Sequence, residues 1–118
     1  MFIQFASKTE NPHFEGVFDI APEELAQKKS DVVMIDVRQP DEYTGELGHI
    51  AGTKLVVLNT LPDNLSEIPQ DKTVVFVCRS GGRSAQAAAF ALMKGYKEAY
   101  NMMGGMLQWN NLQLPVER

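Results

Sequence analysis

Two stretches of the chain are apolar at consecutive positions rather than alternate ones: Asp31-Val32-Val33-Met34-Ile35-Asp36-Val37 and Thr73-Val74-Val75-Phe76-Val77. A strand covered on both faces needs apolar side chains on both, so these runs predict central strands of a parallel sheet. Lys54-Leu55-Val56-Val57-Leu58 predicts a third strand. Val17-Phe18-Asp19-Ile20 and Glu98-Ala99-Tyr100-Asn101 predict short ones, and Phe2-Ile3-Gln4-Phe5 another, ahead of a loop over residues 8–16.

Helical signals fall between the strands. Pro22 in a first turn, Glu23 and Glu24 early and Lys28 late suit a helix and its dipole. Pro40-Asp41-Glu42-Tyr43 suits a helical turn that Gly45 and Gly48 end, and residues 59–68 read as loop or short helix. Ala85 to Met93 predicts a helix ending at Gly95, with Ala85, Ala88, Ala89 and Leu92 on one small-residue face that lets it lie close on a sheet. Met103-Gly104-Gly105-Met106 reads as a turn, and Leu107 to Asn110 as a last helical turn. Alternating strands and helices predict an α/β fold with a parallel sheet flanked by helices on both faces. Ligands of such sheets bind beyond the carboxyl ends of the strands, where Asp36 and Cys78 fall.

Composition narrows the function. A chain of 118 residues, 44% hydrophobic and 22% charged, without internal repeat or linker, predicts one domain over residues 1–118. A net charge of -4 argues against nucleic acid or an anionic membrane as partner. No apolar run approaches the roughly 18–20 residues of a membrane span, and residues 1–8 turn polar too soon for a secretion signal. The expected location is cytoplasmic, where a free thiol persists. One cysteine excludes an intrachain disulfide, a Cys-x-x-Cys redox pair and a cysteine-rich zinc site. Two histidines at unrelated spacing support no metal site, and no cofactor is expected.

That cysteine opens Cys78-Arg79-Ser80-Gly81-Gly82-Arg83-Ser84, between a buried strand and a helix. Two glycines allow a tight turn whose N–H groups form an anion-binding nest. The helix dipole and the charges of Arg79 and Arg83 act in the same direction, favouring the thiolate, which is the nucleophile. The plain alternative, a small hydrophobe closing a strand, fits the charged, polar and glycine neighbours poorly. Asp36 either braces this loop through Arg38, Arg83 or loop N–H groups, or simply starts a turn. Arg38 and Glu42, four apart, suit a weak surface pair. His49 reads as structural, bonded to backbone in a tight turn, and Met102, Met103, Met106 and Trp109 read as core.

Ile35-Asp36-Val37-Arg38 with Glu42-Tyr43, then Gly48-His49-Ile50-Ala51-Gly52-Thr53, the Cys78 loop, and Gly104-Gly105-Met106-Leu107-Gln108-Trp109 together resemble a single-domain rhodanese, a sulfurtransferase. The resemblance implies a five-stranded parallel sheet and a nucleophilic Cys78. It implies a small sulfur-containing anion or persulfide as donor, and a thiol, cyanide or protein as acceptor, with a Cys78 persulfide between half-reactions. It also implies that Arg79, Ser80, Gly81, Gly82 and Arg83 hold substrate and persulfide, and that Asp36 and Arg38 brace the loop. Related phosphatases and arsenate reductases space cysteine and arginine one residue further apart, leaving room for a tetrahedral oxyanion. The four residues between Cys78 and Arg83 suit one sulfur atom better. Ser80 stands where some thiosulfate-preferring relatives carry a lysine, which leaves thiosulfate or another persulfide open as donor. A docking or sulfur-carrier module and an oxyanion enzyme are the competing readings.

Overall fold

The computed structural model describes residues 2–118; Met1 lies outside the described residues. In chain order the elements are β1 (Thr9–Glu10), β2 (Phe18–Ile20), α1 (Pro22–Lys28), β3 (Val33–Asp36), α2 (Pro40–Tyr43), β4 (Lys54–Leu55), α3 (Leu61–Asn64), β5 (Val74–Val77), α4 (Gly82–Met93), β6 (Ala99–Met102) and α5 (Gly105–Asn111). The strands form one sheet in the order β1-β2-β6-β5-β3-β4. The five from β2 to β4 run parallel, and β1 adds an antiparallel edge.

The continuous apolar runs become the two central strands because both faces are covered. On one face Phe76, Val74 and Cys78 pack with Ala87, Ala88 and Ala91 of α4 and with Leu61 and Ile68. On the other, Val75 and Val77 meet Leu25 of α1 and Met106 and Trp109 of α5. β3 and β5 are neighbours in register, Asp36 opposite Val77, yet their onward connections leave in opposite directions, to β4 and to β6. The crevice between those carboxyl ends is where an open α/β sheet accepts ligands. Among the described residues no helix is long and apolar enough to cross a membrane.

Several boundaries differ from expectation. Residues 2–5 form no strand: the Ile3 N–H donates to the Thr73 hydroxyl rather than to a neighbouring backbone, and Phe5 is buried edge-on against Tyr100. The edge strand lies instead at Thr9–Glu10, inside the stretch read as loop. β4 stops at Leu55, although Val56 and Leu58 still donate to the carbonyls of Asp36 and Val37. α4 starts at Gly82, and its buried line runs through Ser84, Ala85, Ala87, Ala88 and Ala91; Ala89 and Leu92 sit half-buried at its margin. α5 starts at Gly105, within the expected turn. Met102, Met106 and Trp109 are core, whereas Met103 is 40% exposed.

Candidate active site

β5 delivers Cys78 to the carboxyl edge of the sheet, where the chain turns into α4. The turn needs Gly81, at φ +108°, in the left-handed region that a side chain disfavours. That geometry places the Gly81 N–H 3.0 Å from Cys78 Sγ, and the Ser84 hydroxyl lies 3.2 Å from the same atom. The positive end of the α4 dipole adds to both. Cys78 is 1% exposed, so its sulfur lies at the floor of the loop, with Arg79, Ser80 and Gly82 exposed on the rim. Gly82 needs no unusual backbone angle and has open space where a side chain would stand.

The underside of the loop rests on α5. The N–H groups of Met106 and Leu107 donate to the carbonyls of Cys78 and Arg79 at 2.8 and 3.0 Å. A β-carbon on Gly105, at φ +59°, would stand 2.4 Å from the Arg79 carbonyl oxygen. The paired glycines thus let the start of one helix lie flat against the cysteine turn. Behind Ser84 runs a buried polar chain. The single Ser84 hydroxyl proton can serve Asn101 Oδ1 in place of the sulfur, and Asn101 Nδ2 and Asn11 Nδ2 each donate to Asp19 Oδ1 at 2.9 Å.

Two arginine–carboxylate pairs flank the cysteine. Arg38 Nη2 meets Asp36 Oδ2 at 2.7 Å, with Arg38 Nε 2.9 Å from Oδ1, and both side chains are buried. The same guanidinium donates to the carbonyls of Gly48 at 2.8 Å and Glu42 at 3.2 Å, tying residues 38–48 to the sheet end. Arg83 does not reach Asp36. Its Nη1 and Nη2 donate to Glu42 Oε1 and Oε2 at 2.7 and 2.8 Å. The Arg83 hydrogen bonds hold the Glu42 carboxyl well below its ordinary range, at about 2, and Glu42 in turn raises Arg83. The expected pairing of the Arg38 and Glu42 side chains is therefore replaced. Arg38 is anchored inward by Asp36 and Gly48, and the Glu42 carboxylate is left to α4.

The Arg79 guanidinium has no hydrogen-bond or ion-pair partner among the described residues, and it lines a cleft with Asp41, Glu42, Glu46 and Leu107. The ring of His49 stacks on Tyr43 at 3.8 Å, with Nδ1 2.8 Å from the Tyr43 carbonyl oxygen. Ser84, Asn101 and Asp19 have no site role in the sequence pattern, and Glu42 has only a surface pairing with Arg38. The polar Asn101 inside a buried strand is the signal that points to Ser84 and Asp19.

A rhodanese-like domain model matches residues 21–112. The chain belongs to the rhodanese-like family. A sulfurtransferase of Allochromatium vinosum is 37% identical over 103 residues, covering 85% of this chain and 94% of that protein. A thiosulfate sulfurtransferase of Pseudomonas paraeruginosa is 31% identical, covering 79% of this chain and 84% of its own. Among solved structures, a rhodanese-like domain protein from Staphylococcus aureus superposes with a TM-score of 0.73 at 31% identity, over 85% of this chain and 98% of that one. The rhodanese-like fold thus brings Cys78, the Asp36–Arg38 pair and the start of α5 to one sheet edge.

Proposed function

We propose that this rhodanese-like protein is a sulfurtransferase that carries a sulfane sulfur on Cys78 as a persulfide. The observation that carries the reading is the position of the Cys78 sulfur, at a helix N-terminus and 3.0 Å from the Gly81 amide. In the first half-reaction the Cys78 thiolate attacks the outer sulfur of a donor. A new S–S bond forms as the donor's S–S bond breaks, and the electron pair leaves with the donor residue, as sulfite from thiosulfate or as a thiolate from an organic persulfide. The terminal sulfur of the persulfide then holds the negative charge, beside fixed N–H dipoles that need no reorganisation. In the second half-reaction a thiol or cyanide acceptor attacks that terminal sulfur, and Cys78 leaves as thiolate.

With one cysteine in the chain, no internal thiol can resolve the persulfide. The cargo must pass to an external acceptor, small or protein-borne, and the kinetics are ping-pong. Four residues between Cys78 and Arg83 suit this one-atom cargo. A lone thiol used in this way suits a reducing compartment such as the cytoplasm.

The test is intact-mass spectrometry after incubation with thiosulfate and with an organic persulfide. The protein gains the mass of one sulfur, cyanide or a thiol removes it, and Cys78→Ser shows neither change. An unmodified mass across such donors would sink the proposal.

A further inference from the structure

We infer that Glu42 sets the charge of the donor: by occupying Arg83 it leaves the rim with a single unpaired arginine, Arg79, and directs the site to sulfane-sulfur donors carrying one negative charge or none, in preference to the thiosulfate dianion. This rests on the sulfurtransferase reading above. The pairing is bidentate, at 2.7 and 2.8 Å, so both terminal nitrogens of Arg83 are engaged. Glu42 is itself fixed: its Oε1 accepts the Gln39 N–H at 3.0 Å, and its backbone carbonyl accepts from Arg38 at 3.2 Å. The carboxylate is therefore built into the turn rather than swinging on a free side chain. It also stays ionised across the neutral range, its pKa being held at about 2.

The rest of the rim adds no compensating charge. Arg38 is committed to Asp36. The unpaired Arg79 shares its cleft with Asp41, Glu42 and Glu46, and Ser80 beside it is neutral. None of the three clefts that flank the loop is lined by a lysine. A dianion approaching this mouth meets carboxylates that outnumber the available guanidinium groups, on a protein of net charge -4. A persulfide of a small thiol or of a protein meets less repulsion.

The experiment compares thiosulfate with an aryl thiosulfonate, which presents the same outer sulfur on one charge fewer and releases a sulfinate. Rates of Cys78 persulfide formation are read by intact mass. Glu42→Gln keeps the side chain's shape and its cap on the turn while freeing Arg83. Coulomb work scales with donor charge, so the gain for thiosulfate is the square of the gain for thiosulfonate, about tenfold against about threefold. The double variant Glu42→Gln with Arg83→Gln restores the local charge and returns the ratio of the two rates toward wild type. In the wild type alone, added salt leaves the thiosulfate rate flat or raises it, because screening removes repulsion. A ratio unmoved by Glu42→Gln, or a wild-type thiosulfate rate that falls steeply with salt, overturns the inference. Sulfur uptake from neither donor would instead remove the sulfurtransferase reading on which it rests.

Discussion

Asp36–Arg38 and Glu42–Arg83 are the same chemical object, a carboxylate joined to a guanidinium by a hydrogen-bonded fork, and both stand near one cysteine turn. Their surroundings separate them. The first is 0% and 1% exposed, with further guanidinium N–H groups on two backbone carbonyls, so every charge is compensated inside the protein. The second is 27% and 36% exposed, at the mouth of the site. Burial makes the first an anchor: no water replaces a lost partner, and residues 38–48 take their position from it. Partial exposure leaves the second pair screened by solvent, so it is cheap to alter in stability, and the proposed control of donor charge rests on it.

The two pairs differ most at Arg38. Arg38→Met leaves Asp36 as a buried carboxylate without its cation and strips the Gly48 carbonyl of its donor, at a cost of about 3–5 kcal/mol in urea melts. Adding Asp36→Leu removes the orphaned charge and recovers most of the loss, since a buried ion pair is costly to break but often replaceable as a unit. A loss below about 1 kcal/mol in the single variant would place this pair in the same class as the exposed one.

How much of this was legible in the sequence follows from the same distinction between local and tertiary demands. The central strands are legible because burial on both faces forbids polar interruption, and Val74–Val77 obeys that rule at every position. Edge elements are not: Phe2-Ile3-Gln4-Phe5 has strand composition, but the Ile3 amide and the Phe5 ring find side-chain partners instead. The cysteine turn is legible because its chemistry is contiguous, from Cys78 through Gly81 to Arg83. Partner choice is not. The spacing among Asp36, Arg38, Glu42 and Arg83 permits several pairings, and only the register of β3 beside β5 and the direction of α2 select the observed two. The role of Gly105 is equally hidden, because the carbonyl it must avoid belongs to Arg79, far away in sequence.

The exposed pair gives the smaller effect. Glu42→Gln lowers stability by less than about 1 kcal/mol, because solvent already screens the pair and glutamine keeps the cap. Chemical denaturation at neutral pH checks this, and a cost near that of Arg38→Met would make the mouth a structural element after all.

The smallest and most diagnostic effect is the pH dependence of that difference. Glu42 has its carboxyl pKa lowered from 4.5 to about 2, chiefly by its hydrogen bonds with Arg83. A group whose folded pKa lies below its unfolded value stabilises fully above the unfolded value and loses that contribution as pH falls through the folded one. The gap in melting temperature between wild type and Glu42→Gln is therefore constant above about pH 4.5 and closes as pH drops toward 2. Glu24, where the hydrogen bonds of Lys28 and Ser7 outweigh the upward pull of burial and also bring the pKa to about 2, contributes equally to both proteins and cancels. A gap that persists unchanged to pH 2 would mean that the difference between the two proteins does not come from ionisation of Glu42 beside Arg83.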